Sequence, residues 1–123
     1  MLHLTTYKLQ NPKKMYAYFM VSVPPAFRRA YSTVPTQRLH CYTATIKRKP
    51  VFLASITKLS TTQPLYAELA NVEEVGKYSL SQQGSRGMRI AVPRHFVRIA
   101  RLKPSHKLSC HIDGDTLIYQ KEK

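Results

Sequence analysis

The residues most able to do chemistry are the 20 Lys and Arg side chains, set against only 6 Asp and Glu in 123 residues. They are unevenly spaced. Residues 1–67 hold ten cations and no acid; the remainder holds ten cations with Glu68, Glu73, Glu74, Asp113, Asp115 and Glu122, so the two stretches carry +10 and +4. A field this positive draws polyanions, nucleic acid first and an anionic membrane surface second. A solvated basic surface without a ligand is the plainer reading, but a net charge of +14 on so small a chain costs self-repulsion.

Other chemistries are poorly supplied. Of the histidines, His106 and His111 lie nearest a cysteine, Cys110, and strand alternation places Cys110 with His106 but turns His111 to the other face. Neither a CxxC nor an HxxxH spacing occurs, so no metal site is expected. The acids fall in a central linker or at the last hairpin, no glycine loop could cradle a phosphate, and no Ser or Cys sits in a nucleophile motif. The expectation is a non-enzyme with no cofactor. Tyr16 and Tyr18 share a strand face beside Lys13 and Lys14, an arrangement that could stack single-stranded nucleic acid; tyrosines covering the rim of a small core are the favoured explanation.

These side chains need elements to position them, and the elements are repeated. A shift of 69 positions lays Val21–Cys41 over Ile90–Cys110 without a gap. Seven of the 21 columns are identical: Val23/Val92, Pro24/Pro93, Phe27/Phe96, Arg29/Arg98, Pro35/Pro104, Leu39/Leu108 and Cys41/Cys110. Chance supplies about one or two. In each copy an alternating strand (Met15–Val23; Met88–Val92) runs into proline. Proline suits a first helical turn, where its missing N–H would be unpaired anyway. Short helices follow at Pro25–Tyr31 and Arg94–Leu102, with Phe27/Ala30 and Phe96/Ile99 three apart on one face. Next come strands at Leu39–Ile46 and Lys107–Ile112, then a turn: Asp113-Gly114 in the second copy, a longer Lys47-Arg48-Lys49-Pro50 in the first. Final strands are expected at Val51–Thr57 and Thr116–Lys121. A further strand precedes each unit, at Leu2–Leu9 and Lys77–Gln82.

The fold class is therefore mainly β with short helices (α+β). Residues 1–59 form one unit, 60–75 a linker and 76–123 a second unit, the two interleaved as one globule. In the linker, Pro64–Val75 reads as a helix with Leu65, Leu69 and Val72 on one face and Gly76 as its stop. With three of the six acids, this linker is expected to sit away from any nucleic acid. Each half, about 60 residues, is near the size at which burial barely exceeds chain entropy, so neither should stand alone. Cys41 and Cys110, at equivalent positions, could approach each other across a pseudo-two-fold, though buried thiols packed in the core explain them better. Two cysteines are too few for a disulfide framework, no apolar run approaches a membrane span, and no targeting segment is recognisable. An intracellular setting, cytoplasm or nucleoid, is the default.

The stretch Gly84-Ser-Arg-Gly-Met-Arg-Ile-Ala-Val-Pro93, the helix after it, Leu102-Lys-Pro104 and the hairpin around Asp113-Gly114 together resemble the swapped-hairpin AbrB superfamily. This includes the AbrB/SpoVT transition-state regulators, MazE-type antitoxins and MraZ proteins. The resemblance covers residues 76–121 and, through the repeat, about 15–57. Two copies in one chain are similar to the tandem units of MraZ. Neither copy has the family's Gly-Asp after the second proline, and copy one lacks glycine altogether. The resemblance implies an intramolecular pseudo-dimeric barrel that binds double-stranded DNA, either as this pseudo-dimer or as a homodimer of such chains. The implied contacts are Lys13, Lys14, Arg86 and Arg89 from the first hairpins, with Arg28, Arg29, Arg94 and Arg98 from the helices after proline; Val97 replaces half of the arginine pair in copy two. Near two-fold symmetry suits a pseudo-palindromic site, and a transcription regulator is the leading expectation. A non-specific architectural DNA-binding protein, a single-stranded DNA or RNA binder and a MazE-like antitoxin are the alternatives.

Overall fold

In the computed structural model, the described residues are 4–11, 19–84 and 87–122. The first copy contributes β1 (Leu4–Lys8), β2 (Met20–Ser22), α1 (Pro25–Tyr31), β3 (Arg38–Ile46) and β4 (Lys49–Ser55). A 3-10 turn over Pro64–Glu68 leads into β5 (Ala70–Ser79), β6 (Ser81–Gln83), β7 (Gly87–Ala91), α2 (Arg94–Ile99), β8 (Lys107–Asp113) and β9 (Thr116–Lys121). The protein is mainly β, in two antiparallel sheets ordered β1-β8-β9-β4-β3-β5 and β2-β7-β6.

The repeat is visible in the pairing. Val21 and Ile90, the same repeat position, face each other across β2 and β7. In the larger sheet the two hairpins meet along β4 and β9, with Leu53 opposite Ile118. Leading strands cross between copies: β1 pairs β8 with Tyr7 opposite Leu108, and β5 pairs β3 with Tyr78 opposite Leu39. Loop bonds repeat as well. The Val23 N–H donates to the Met88 carbonyl and the Val92 N–H to the Phe19 carbonyl, both at 2.9 Å. Likewise the Leu9 N–H reaches the His106 carbonyl at 3.2 Å, and the Leu80 N–H the Gln37 carbonyl at 2.7 Å. A pseudo-two-fold axis thus runs through both sheets, and each copy completes the other's.

The main core lies between the sheets and helices. Phe27 and Phe96, the matched helix aromatics, are fully buried with Val21, Ile90, Leu39 and Leu108. Phe52 stacks on Tyr119 at 5.2 Å between ring centroids and lies 6.0 Å from Phe96. Tyr119 is wholly buried, and its hydroxyl donates to the Ser22 carbonyl at 2.9 Å, joining the larger sheet to the smaller. A buried hydroxyl needs such a partner, since an unmade hydrogen bond costs more than a made one gains. On the far face of the larger sheet, Tyr42, Ala44, Val51, Leu53 and Ile118 pack against Leu65, with Leu59 and Leu69 beside them.

The linker departs from expectation. Only Pro64–Glu68 is helical, and as a 3-10 turn; strand β5 starts at Ala70. The free edge of β3 offers backbone partners, and tertiary pairing overrides the helical spacing of Leu65, Leu69 and Val72. Register shifts accompany this pairing, between Cys41 and Tyr42 and between Thr43 and Thr45. Gly76 and Asn71 lie at these irregularities with φ of 126° and 54°. Gly76 serves a bulge rather than a helix stop, as an extra strand residue needs a conformation that glycine and asparagine tolerate best.

The first hairpin turn is also tighter than expected. Ile46 pairs with Lys49, leaving two residues, Lys47 and Arg48, at φ 50° and 69°. Two positive φ values are the signature of a type I′ turn, whose twist matches that of the flanking strands. Pro50 lies inside β4 but just outside its pairing with β9, which begins at Val51, so its missing N–H interrupts no bond on that side.

Candidate nucleic-acid interface

Both helices start from the same backbone device. Pro24 and Pro93 precede them with φ, ψ of −57°, 137° and −58°, 137°. A proline held in this conformation ends the strand and sets the helix direction identically in both copies. Because β2 runs into α1 and β7 into α2, and the two strands are antiparallel, the helices leave opposite ends of the small sheet.

Within each helix, burial of Phe27 or Phe96 decides which positions face water. Two residues on, about 200° around the helix, Arg29 and Arg98 are exposed in matching places. Arg94 opens α2 and is exposed too. Arg28 behaves differently. Its counterpart Val97 is buried, and Arg28 itself is half-buried, with its Nε lacking a hydrogen-bond partner. Its charge acts on Tyr7 in β1: burial, then Cys110, pushes the Tyr7 phenol up, and Arg28 offsets part of this. The expected arginine pair is therefore one exposed and one inward-leaning side chain.

Arg89 sits on β7, the middle strand of the small sheet, between Ser22 and Ser81. Its Nη1 donates to Gln10 Oε1 at 3.1 Å, and Gln10 Nε2 donates to Ser22 Oγ at 3.1 Å. Its Nε is buried without a partner. Gln10 orients this arginine, a role with no sequence signal because 79 residues separate the two. Lys13, Lys14 and Arg86, and Tyr16 and Tyr18, lie outside the described residues.

Among the described residues, the one ion pair joins His95 Nε2 to Glu73 Oε2 at 3.6 Å, and both side chains are well exposed. None of their Lys or Arg side chains is neutralised by a carboxylate. Glu73 comes from the segment expected to stand clear of the cationic surface, yet β5 carries it to His95 of α2, the residue that follows Arg94.

Cys41 and Cys110 are free and buried, and desolvation pushes both thiols up to about 12. They do not approach each other: β4 and β9 stand between β3 and β8, a separation of roughly 14 Å at the usual strand spacing. His106 precedes β8 rather than sharing its alternation, and its Nδ1 accepts the Lys103 N–H at 2.9 Å. Among the described residues, no three His, Cys, Asp or Glu gather as metal ligands. Among the described residues, no helix is long and apolar enough to cross a membrane.

Comparison with protein-family models, with curated proteins and with solved structures finds no match for this chain.

Proposed function

We propose that this protein is a double-stranded DNA-binding protein built as an intramolecular pseudo-dimer of AbrB-like swapped-hairpin units, and that it acts as a transcription regulator at a pseudo-palindromic site. The observation that carries the reading is the pseudo-two-fold axis through Val21–Ile90 and Leu53–Ile118 together with matched, exposed arginines off that axis, Arg29 and Arg98. A B-DNA duplex has the same symmetry, so one chain can present equivalent cations to both half-sites. Arg94 extends the α2 side. Arg89, held by Gln10 on the small sheet, retains donors for a phosphate or a guanine edge. Lys13, Lys14 and Arg86 belong to the same proposed contact set by resemblance. The copies are unequal: Arg28 faces Val97 across the repeat, and Glu73 stands beside α2. The favoured site is accordingly an imperfect inverted repeat.

The decisive experiment is selection of binding sites from a random duplex library at about 150 mM salt, where non-specific phosphate contacts are weakened. An enriched inverted repeat is expected. Binding without enrichment would replace the regulator with an architectural DNA-binding protein, and preference for single strands would revive stacking on Tyr16 and Tyr18. No binding would overturn the reading.

A further inference from the structure

The pseudo-two-fold makes it possible to ask where the copies have diverged in chemistry. One corner stands out, at the C-terminal end of α2, where a cavity of about 290 Å³ is lined by Lys49, Pro50, Ile99, Ala100, Arg101 and Lys121, with Gln120 and Glu122 completing it. Its counterpart in the first copy follows from the repeat. Ala100 corresponds to Tyr31 and Arg101 to Ser32; Lys121, opposite Leu108, corresponds to Ile56 at the matching place beside Leu39. That first corner carries the carboxylate of Asp115 and is tied together by it. Tyr31 lies on Phe27 at 5.0 Å, Ile56 packs on the core, and Asp115 accepts bonds from the Thr57 hydroxyl at 2.7 Å and the Thr57 N–H at 3.1 Å. In the second corner alanine replaces the ring, and Arg101 and Lys121 stand where the first has Ser32 and Ile56.

We infer that this corner is a binding site for a small amphipathic anion, an aryl or short alkyl carboxylate or sulfonate. The floor is apolar: Ile99 is 41% exposed, and Ala100 and Pro50 adjoin it. The rim is cationic, and no ion pair occupies its cations. Glu122, the acid in the lining, is engaged elsewhere, accepting the Thr6 hydroxyl at 2.7 Å. Small-molecule sites characteristically combine an apolar lining with a few convergent polar groups. Three of the four charged groups in the lining, Lys49, Arg101 and Lys121, are cations, and the fourth, Glu122, is bonded to Thr6, so the head group favoured is an anion. The cavity's volume admits a body the size of one or two rings. The inference does not rest on the proposed DNA-binding function and survives its failure.

The test titrates the intact chain with the two-ring dye naphthalene-1-sulfonate at about 150 mM salt, following its fluorescence. One saturable site per chain is expected. Arg101→Ser and Lys121→Gln should each weaken it by about tenfold or more, as loss of a charge-assisted contact does. Lys58→Ala and Lys77→Ala, which delete the same charge elsewhere, should leave it unchanged, and circular dichroism of all four variants should match the parent. Octanoate should displace the dye, and equimolar inorganic phosphate should not. Equal weakening by all four substitutions, titration without saturation, or displacement by phosphate as effective as by octanoate would each overturn the inference.

Discussion

Val21 and Ile90 are 69 residues apart in the chain and directly opposite one another across β2 and β7, each occupying the position the other holds in its own copy. With Leu53 and Ile118 opposite each other in the larger sheet, this places a two-fold relation inside a single polypeptide. Its consequence is energetic as well as geometric. Neither copy contains a complete sheet, so unfolding should be one cooperative event.

Arg29 and Arg98 occupy matched exposed sites, so their removal should have matched effects on DNA affinity. If each contacts a phosphate, Arg29→Ala and Arg98→Ala should each lower the slope of log affinity against log salt by about 1, with the parent losing about 10³–10⁵ in affinity between 50 and 200 mM salt. Fluorescence anisotropy on a labelled duplex at several salt concentrations measures this. Arg28→Ala should change the salt slope less than Arg29→Ala, because Arg28 is half-buried with its Nε out of solvent while Arg29 is exposed.

Tyr119 bridges the sheets through its bond to the Ser22 carbonyl at 2.9 Å. Tyr119→Phe keeps the ring and its stack on Phe52 while deleting that bond. Stability to urea should fall by about 1–3 kcal/mol, because the Ser22 carbonyl loses this donor, with the slope against urea unchanged.

Lys47 and Arg48 hold positive φ in the first hairpin turn without the help of glycine. Each pays the steric cost that L-residues bear in the left-handed region. The double substitution Lys47→Asn, Arg48→Gly supplies the preferred type I′ pair and should raise stability by about 1–2 kcal/mol. The urea midpoint is the readout.

Two histidines should make stability pH-dependent in one direction. Desolvation and the neighbouring charges of Lys121 and Lys103 lower the His106 pKa, and burial lowers that of His111. The unfolded chain therefore binds more protons than the folded one near the ordinary histidine pKa of 6.5. Their contribution is present above that pH and is lost as pH falls below it. Thermal midpoints should drop from about pH 7.5 to 5.5, and the drop should shrink in a His106→Asn, His111→Gln double variant.

Local structure was largely legible. Proline followed by a short apolar-faced segment located α1 at Pro25–Tyr31 with its observed bounds, because proline both stops a strand and starts a helix. Alternation with a glycine turn located β9 at Thr116–Lys121. The repeat identified Arg29 and Arg98 as equivalent before any contact was known. Where local signals competed with pairing, they lost: residues 70–75 have helical spacing and became a bulged edge strand, because β3 had backbone groups to satisfy.

What the sequence determined by itself was the unit: its elements, its duplication and its charge, all set by interactions within a few residues or by composition. Only the tertiary structure decided how the units join, because antiparallel pairing is a contact between distant residues whose partner no local pattern names. That pairing sends β1 to β8 and β5 to β3, keeps Cys41 and Cys110 two strands apart, and brings Gln10 to Arg89 and Glu73 to His95. It also turns Arg28 inward while leaving Arg29 in water, and gives the second copy a cationic corner where the first has Tyr31, Ser32 and Ile56.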